Sequence, residues 1–286
     1  MKSRYFKRIV FSAAMLLVAG VGGAQWMDWQ DDDNMDRGGV PDWENNKRFQ
    51  DDVFTFVRIQ YSSGGRGGFG FRGRGGRGGA WRTDYPDSDL NLSFRLQQLT
   101  SLKVEPRPIY MRLTDDRLFD YPFIYIIEPG RLVFSEDEVQ ALRRYLLSGG
   151  FLMVDDFWGD YEWKNFYQQI KRVFPDREPS ELPLDHDVFS CVYRLKEKPQ
   201  VCGLRAAVQG RPWGVTWEDG HGGDCRTVHY KGLFDDDGRM MAIICHNTDL
   251  GDGWEEEGVS EWYFNEFAEN KAYPMAINII FYAMTH

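Results

Sequence analysis

The chain has 286 residues, 42% of them hydrophobic and 15% aromatic, which is enough to bury the core of one large domain or two small ones. Its composition is that of a soluble globular protein. Its formal net charge is −10, so a nucleic acid or an anionic membrane surface is a poor candidate partner.

Residues 1–24 have the three regions of a secretory signal peptide. Basic residues at positions 2, 4, 7 and 8 precede an apolar run over residues 9–21, and a small-residue cleavage site ends at Ala24. We predict cleavage after Ala24 and a periplasmic or extracellular location. The apolar run is shorter than the roughly 20 residues that span a bilayer, so stable membrane insertion is not expected after cleavage. A retained anchor is the alternative.

Two further segments lack the periodicity of secondary structure. Residues 25–51 are acidic and predict a flexible linker, which places a single folded domain over residues 52–286. Residues 64–79 contain ten glycines and four arginines and resemble the Arg-Gly-Gly segments that bind RNA. Because export and net acidity argue against RNA, we predict a disordered surface loop there.

The first half of the domain contains three predicted strands and a helix. The strands cover residues 53–61, 109–113 and 122–127, where β-branched and aromatic side chains are concentrated. Between the first two, Ser88 can cap a helix whose apolar face carries Leu92, Leu96 and Leu99.

A capping box formed by Ser135 and Glu138 predicts the start of the next helix, and Gly149 predicts its end. An apolar strand follows and stops at Asp155 and Asp156. This strand, helix and strand form one crossover, which is expected to be right-handed. In sheets of this kind ligands bind beyond the carboxyl ends of the strands, where the two acids would lie.

The second half continues the alternation of helices and strands. Apolar residues spaced by three, four and four predict a helix after Gly159 that Pro175 ends. Strands are predicted over residues 188–195 and 240–245, and a final helix over residues 271–284. The order indicates an α/β fold with a largely parallel sheet.

Four cysteines in an exported chain permit disulfides with three possible pairings: Cys191, Cys202, Cys225 and Cys245. Cys191 and Cys202 flank a turn-like segment between two apolar runs, which favours a bridge across a hairpin. Free buried thiols are the alternative. The spacing matches no zinc site.

Two strand ends carry candidate catalytic residues. Asp155 and Asp156 would point to opposite faces of the sheet, and Asp155 could instead cap the following turn. His246 leaves the strand over residues 240–245 and could act as a general base held by Asp249, although a structural role is the alternative. Cys245 is expected to be buried and not to act as a nucleophile with His246.

The segment Asp185-His186-Asp187 adds another group of acids and a histidine, and two histidines with several aspartates can ligate a divalent ion. No diagnostic ligand spacing is present. We therefore predict no metal ligands and no cofactor.

Five motifs together resemble a family of exported bacterial proteins known as domain of unknown function 4159, and the resemblance covers about residues 53–286. The motifs are Phe56-Val57-Arg58-Ile59-Gln60-Tyr61, Thr83-Asp84-Tyr85-Pro86, Leu118-Phe119-Asp120-Tyr121-Pro122, Gly149-Gly150-Phe151-Leu152-Met153-Val154-Asp155-Asp156 and Tyr273-Pro274-Met275-Ala276-Ile277-Asn278. The resemblance implies a class I glutamine amidotransferase-like fold, which is a flavodoxin-like three-layer sandwich.

Relatives in that superfamily carry a cysteine nucleophile where Asp155 and Asp156 stand here, and their histidine and glutamate fall near the positions of His246 and Asp249. The missing thiol implies that glutaminase activity is absent. The segment around His186 resembles the Asp-His-Pro segment of trehalose-utilisation-like members, which implies a carbohydrate-related ligand.

These observations leave three functional hypotheses. The first is an exported protein that binds a small polar ligand, such as a glycan, at the carboxyl edge of the sheet; its candidate ligand-binding residues are His186, Asn247, Trp158, Trp254 and Asp84, with the two tryptophans stacking on a sugar ring. The second is a hydrolase, with or without a metal, that uses Asp155 or Asp156 with His246. The third is an interaction module of the cell envelope. The first two expect Asp155, Asp156, His186 and His246 to converge on one pocket.

Overall fold

A computed structural model of the protein describes residues 35–64 and 79–286. The predicted signal peptide over residues 1–24 and all but the ends of the predicted loop over residues 64–79 lie outside the described residues. Residues Asp36–His286 form one compact unit.

The strands and helices alternate along most of this unit. The strands are β1 Val53–Phe54, β2 Val57–Ile59, β3 Ser62–Ser63, β4 Lys103–Val104, β5 Ile109–Met111, β6 Phe123–Ile127, β7 Leu132–Val133, β8 Phe151–Asp155, β9 Ser180–Glu181, β10 His229–Phe234 and β11 Met240–His246. The α-helices are α1 Asp87–Leu99, α2 Glu136–Leu147, α3 Gly159–Val173, α4 Leu204–Gly210, α5 Leu250–Glu255, α6 Glu261–Tyr263 and α7 Tyr273–Thr285, and a π-helical segment Phe264–Ala272 joins α6 to α7.

The main sheet has seven strands in the order β5, β2, β6, β8, β11, β10, β9. The first five are parallel, and the last two join the edge in antiparallel pairing. Numbered along the chain, the parallel strands follow the order 2-1-3-4-5 of flavodoxin-like sheets. The predicted α/β fold with a mostly parallel sheet is confirmed.

Helices cover both faces of this sheet, so the unit has three layers. Alternate residues of β6 face opposite ways: Phe123, Tyr125 and Ile127 pack with the residues of α1, α5 and α7, whereas Ile124 and Ile126 pack with those of α2 and α3. Strands buried on both faces read as continuous apolar runs, which is why β6 and β8 are visible in the sequence.

The predicted capping box starts helix α2. The hydroxyl of Ser135 accepts a hydrogen bond from the backbone nitrogen of Glu138 at 3.2 Å, and the Glu138 carboxylate accepts one from the Ser135 backbone nitrogen at 2.8 Å. Gly149, with φ of +105°, follows the helix as predicted. A side chain at Gly150 would lie 2.3 Å from the ring of Tyr145, so the second glycine allows the chain to pass close to the helix.

Two predicted boundaries in the first half are wrong. The strand predicted over residues 53–61 is broken into β1, which pairs with β4, and β2, which pairs with β5 and β6. Helix α1 begins at Asp87, before the predicted cap Ser88. The Ser88 hydroxyl instead accepts a hydrogen bond from Arg58 at 3.0 Å and donates one to Asp89 at 2.9 Å, because a buried ion pair lies beside it.

The strand predicted over residues 188–195 is also wrong. Its backbone pairs with a side chain and not with a neighbouring strand: Asn278 of α7 accepts hydrogen bonds from the backbone nitrogens of Val192 and Tyr193 at 3.1 and 2.7 Å and donates one to the Tyr193 carbonyl at 2.8 Å. No local signal in residues 188–195 reveals this distant partner.

The favoured disulfide between Cys191 and Cys202 is wrong as well, because the hairpin that it requires is absent. All four cysteines are free; Cys191 is exposed, and the other three are buried. The sulfur of Cys191 donates to the backbone carbonyl of Asn278 at 3.2 Å. Cys202 lies in the core below Tyr263, whose hydroxyl donates to the Cys202 carbonyl at 2.8 Å.

Part of the segment predicted as a linker over residues 25–51 contacts the folded unit. Arg37 donates to the carbonyl of Pro106 at 2.7 Å, and Trp43 and Asn45 both donate to the carbonyl of Val104 at 2.8 Å. Among the helices of residues 35–64 and 79–286, none has the length and apolar character needed to cross a membrane.

Candidate functional site

The backbone is unusual where the parallel strands end. Within the described ranges, four residues other than glycine have a positive φ: Asp84, Glu128, Asp156 and Asn247, at 61°, 47°, 55° and 60°. Three of them directly follow β6, β8 and β11, and Asp84 precedes α1. Conformations of this kind are costly for residues with a side chain and gather at functional sites. The carboxyl edge of the sheet is therefore the place to look for a site.

Three aspartates meet at this edge. Each of Asp84, Asp156 and Asp249 contributes a carboxylate oxygen that lies within 4.8 Å of the other two, and we call these three residues the acidic cluster. Their side chains are almost fully buried, with 8%, 9% and 5% exposure. Further carboxylates border the cluster. Asp252 and Glu255 have oxygens within 4.8 Å of Asp84, and Glu218 and Asp252 have oxygens within 4.8 Å of Asp249.

Each member of the acidic cluster is held by a different element. Asp156 accepts a hydrogen bond at 3.3 Å from the indole nitrogen of Trp158, at the turn between β8 and α3. Asp249 caps helix α5 through its Oδ1, which accepts the backbone nitrogen of Asp252 at 2.8 Å. Asp84 lies in the loop before α1, and its Oδ2 accepts no hydrogen bond from the described residues.

Burial and mutual repulsion disfavour the charged form of these carboxyl groups. Burial is the main cause that raises the pKa of Asp84, Asp156 and Asp249, and neighbouring carboxylates raise it further. Burial also raises the pKa of Glu128 to about 7. A positively charged or hydrogen-bonding ligand would offset the free-energy cost of burying these carboxylates close together.

Arg58 of β2 fixes the loop that carries Asp84. Its guanidinium is fully buried and forms an ion pair with Asp89 that includes a hydrogen bond of 2.9 Å from Nε to Oδ2. It also donates to the backbone carbonyls of Trp81 and Thr83 at 3.1 and 2.6 Å. Since Asp89 already neutralises this charge, Arg58 positions the loop and does not pair with the acidic cluster.

Asp155 is not a member of the acidic cluster, and its side chain binds the start of helix α5. Its Oδ2 accepts hydrogen bonds from the backbone nitrogens of Leu250 and Gly251 at 2.9 and 3.1 Å and from the hydroxyl of Tyr125 at 3.3 Å. Burial raises its pKa to about 7, although these hydrogen bonds oppose the shift. Asp155 therefore orients the start of α5, next to Asp249, and only Asp156 of the predicted pair joins the cluster.

A family model described as Domain of unknown function (DUF4159) matches residues 55–284. The chain belongs to this family. The match includes every strand of the main sheet and the acidic cluster. No curated protein matches the chain.

Within the DUF4159 domain, His246 does not pair with Asp249 as predicted. Its Nε2 hydrogen-bonds with the carbonyl oxygen of Gly159 at 3.1 Å, and its ring packs on Phe157 and Trp163 with centroids 4.8 and 5.3 Å apart. Burial lowers its pKa to about 4. The imidazole is thus neutral. It lies on the face of the sheet that packs with α3, where its partner is a backbone carbonyl and not Asp249.

His186 lies at the opposite edge of the sheet of the DUF4159 domain, so the predicted common pocket is wrong. Its Nδ1 accepts a hydrogen bond from the Val188 backbone at 3.2 Å, and its ring lies 6.4 Å from that of Phe234. Phe234 pairs with Met240, the first residue of β11. The histidine is therefore close to the amino ends of the parallel strands.

Three other predicted ligand contacts are occupied by the protein itself. Trp158 and Trp254 are 1% and 0% exposed, so neither indole offers a face on which a sugar ring can stack. The Asn247 side chain accepts from the Gly159 backbone at 2.8 Å and donates to the carbonyls of Asp224 and Thr227 at 2.9 and 2.7 Å. Asn247 holds the loop after α4 in place, and Asp84 alone of the predicted ligand contacts joins the acidic cluster.

The sequence reasoning missed several residues around the acidic cluster. Glu128 follows the apolar strand β6 just as Asp156 follows β8, and this repeated pattern could have revealed it. Glu218 and His221 lie in an irregular segment without a pattern. His221 hydrogen-bonds with Glu162 at 3.0 Å and lies 3.9 Å from the carboxylate of Glu218, and these two acids raise its pKa to about 9.

Proposed function

We propose that this protein is exported and binds a small polar ligand, such as a sugar or an amino sugar, at the acidic cluster, without glutaminase activity. The observation that carries the proposal is the convergence of three buried carboxylates, Asp84, Asp156 and Asp249, at the carboxyl edge of a parallel sheet. Carboxylates accept hydrogen bonds from hydroxyl and ammonium groups, and ligands of open α/β sheets bind at this edge.

The position of Asp156 supports the absence of glutaminase activity. It stands at a sharp turn between β8 and α3 with φ of +55°, in the strand-turn-helix setting that nucleophiles occupy in several hydrolase folds. The class I glutamine amidotransferase-like superfamily, with its cysteine at this place, is the parent fold that we propose. An aspartate there cannot form the thioester that such a cysteine forms.

The hydrolase hypothesis receives less support from the geometry. Its proposed base, His246, bonds to a backbone carbonyl on the other side of the sheet, and the Oδ2 of Asp155 is used by three protein donors. The interaction-module hypothesis depends mostly on the loop over residues 64–79, which lies largely outside the described residues. Ligand binding at the acidic cluster is therefore the function that we propose.

Thermal unfolding with glucose, trehalose and glucosamine tests this proposal. We expect at least one of the three to stabilise the wild-type protein, and a ligand at about ten times its Kd adds about 1.4 kcal/mol, or about 3–6 °C for a domain of this size. Asp156→Asn should lose this shift, because the substitution removes one carboxylate and keeps the left-handed backbone, which asparagine tolerates.

Asp185→Asn is the matched control, since Asp185 is exposed and adjoins His186 near the amino ends of the parallel strands. It should respond to each ligand as the wild type does. Equal shifts in Asp156→Asn and wild type would contradict the proposal, as would the absence of any shift with all three compounds. Release of ammonia from glutamine would contradict the predicted lack of glutaminase activity.

A further inference from the structure

Two buried carboxylate oxygens accept no hydrogen bond from the described residues, Oδ1 of Asp155 and Oδ2 of Asp84, and only the second belongs to the acidic cluster. Asp84 is 8% exposed, and its Oδ2 accepts no hydrogen bond from any residue in the ranges 35–64 and 79–286. An unpaired buried acceptor destabilises the folded state, and more so when the group is charged. Asparagine also tolerates the positive φ of this position, so the backbone alone does not require a carboxylate, and a partner from outside the chain would explain one.

The unpartnered Oδ2 of Asp84 points into the acidic cluster. A Cβ placed on Gly251 would lie 3.1 Å from Oδ2 of Asp84 and 3.3 Å from Oδ1 of Asp249, so both oxygens face the same bare point of the backbone. Asp156 is the third carboxylate, and one oxygen of each of the three residues lies within 4.8 Å of the other two. The lack of a side chain at Gly251 leaves room for these carboxylates to approach.

The surroundings of this space are strongly negative. Carboxylates approach it from the end of β6, from the irregular segment before β10 and from α5: Glu128, Glu218, Asp252 and Glu255. The positive charge of Arg58 acts on Asp84, but this buried guanidinium already pairs with Asp89. His221 lies between Glu162 and Glu218 and pairs with those two acids.

We propose that Asp84, Asp156 and Asp249 hold a hard divalent cation, either Ca²⁺ or Mg²⁺. The three ligands are all carboxylate oxygens. Hard cations prefer such oxygens, whereas softer transition metals favour sulfur or nitrogen ligands. Three equally spaced oxygens around one ion lie about 4.0–4.5 Å apart for Ca²⁺, which takes oxygen ligands at about 2.3–2.6 Å, and about 3.5–3.6 Å apart for Mg²⁺, which takes them at about 2.0–2.1 Å. The three oxygens of the acidic cluster lie within 4.8 Å of one another, so Ca²⁺ fits with less contraction of the site than Mg²⁺ does.

Three carboxylates leave part of the coordination shell open, because Ca²⁺ takes six to eight oxygen ligands and Mg²⁺ takes six. The open positions would accept water or the hydroxyl groups of a bound ligand. In this respect the inference rests on the proposed function and gives it a chemical basis: the cation would link the acidic cluster to the polar ligand.

Calorimetric titration with CaCl₂ and with MgCl₂, each added to the full chain after removal of metals with EDTA, tests the inference. We expect one cation per chain to bind. Asp84→Asn, Asp156→Asn and Asp249→Asn should each weaken its affinity at least tenfold, because each removes one charged ligand. Asp185→Asn should bind the cation as the wild type does.

Thermal unfolding distinguishes a cation ligand from a purely structural aspartate. In EDTA, Asp84→Asn should unfold at the same temperature as the wild type or higher, because it removes one of several repelling buried carboxylates. With saturating CaCl₂ or MgCl₂ the order should reverse, since only the wild type is stabilised. An Asp84→Asn protein that is less stable than wild type in both conditions by the same amount would overturn the inference.

The two proposals fail in different ways. If neither cation binds the wild type, or if the three asparagine variants bind it as the wild type does, the cation site is overturned. A sugar that still stabilises the wild type in EDTA, and not Asp156→Asn, would leave the proposed function standing. If the cation binds and none of the three sugars stabilises the loaded protein, the cation site stands and the proposed function falls.

Discussion

Single buried charges set the local structure of this protein, and Arg58 shows how. Its guanidinium ties β2 to Asp89 of α1 and to the carbonyls of Trp81 and Thr83, just before Asp84. The sequence places this arginine in an apolar strand and gives no sign of its partner, which lies 31 residues further along the chain. Buried arginines must be paired, so the existence of a partner could be predicted but not its identity.

Arg58→Met should destabilise the protein by about 3–5 kcal/mol, because it leaves the Asp89 carboxylate buried without its partner. Denaturant unfolding measures this loss. Arg172→Met is the control: Arg172 is partly exposed, pairs with the exposed Glu136 and donates to the carbonyl of Phe134, so its loss leaves no buried charge and should cost clearly less than the loss of Arg58. Equal losses in the two variants would contradict the role assigned to Arg58.

His246 gives the clearest dependence of stability on pH. The charged groups that face it are His229, Lys231 and Glu162, and burial lowers its pKa to about 4. In the unfolded chain a histidine binds its proton near pH 6.5. Between these values only the unfolded state is protonated, so His246 costs the folded state stability as the pH falls from about 6.5 to about 4.

His246→Gln should therefore flatten the loss of stability in this pH interval, by up to about 3 kcal/mol at its acid end. Glutamine keeps a donor for the carbonyl of Gly159 and cannot be protonated. Unfolding free energies from pH 4 to pH 7 measure the effect. A variant whose pH profile runs parallel to that of the wild type would show that His246 has the same pKa in the folded and the unfolded protein.

At the scale of secondary structure, local signals predicted the elements that are locally determined. The capping box of Ser135 and Glu138, the glycine after α2 and the apolar runs of β6, β8 and β11 all lie within a few residues of the structure they specify. Residues 188–195 have a similar apolar pattern, but Asn278 of α7 binds their backbone in place of a strand. Their structure depends on a helix about 85 residues away, which no local pattern contains.

The turn from β8 into α3 depends on Gly159. Its φ is +69°, and a Cβ there would lie 2.1 Å from the carbonyl oxygen of Gly222. The same residue accepts a hydrogen bond from His246 through its carbonyl and donates one to Asn247 through its nitrogen. This packing brings the segment with His221 over the turn that holds Asp156.

Gly159→Ala should destabilise the protein by more than the about 1–2 kcal/mol that the left-handed conformation alone costs, because the methyl group also meets the backbone of Gly222. Gly220→Ala isolates the conformational cost, since Gly220 also has a positive φ and no atom lies within 4 Å of its added Cβ. Chemical denaturation compares the two. A smaller loss for Gly159→Ala than for Gly220→Ala would contradict the close contact.

At the scale of the whole molecule, the acidic cluster arises from the order of the strands. Asp84, Asp156 and Asp249 follow different strands, and they meet only because β2, β6, β8 and β11 are neighbours in one parallel sheet. The sequence showed that acids end two of these strands and predicted the edge at which they lie. It could not show which acids share a face, because that depends on the direction of each turn after the strand.

The central proposal is that the acidic cluster binds a divalent cation at the carboxyl edge of the sheet. Anomalous scattering from a crystal of the full chain soaked in MnCl₂ tests this most directly, because Mn²⁺ prefers the same oxygen ligands as Mg²⁺ and Ca²⁺. We expect a peak between the carboxylates of Asp84, Asp156 and Asp249. A map with ordered carboxylates at this edge and manganese peaks only elsewhere would contradict it.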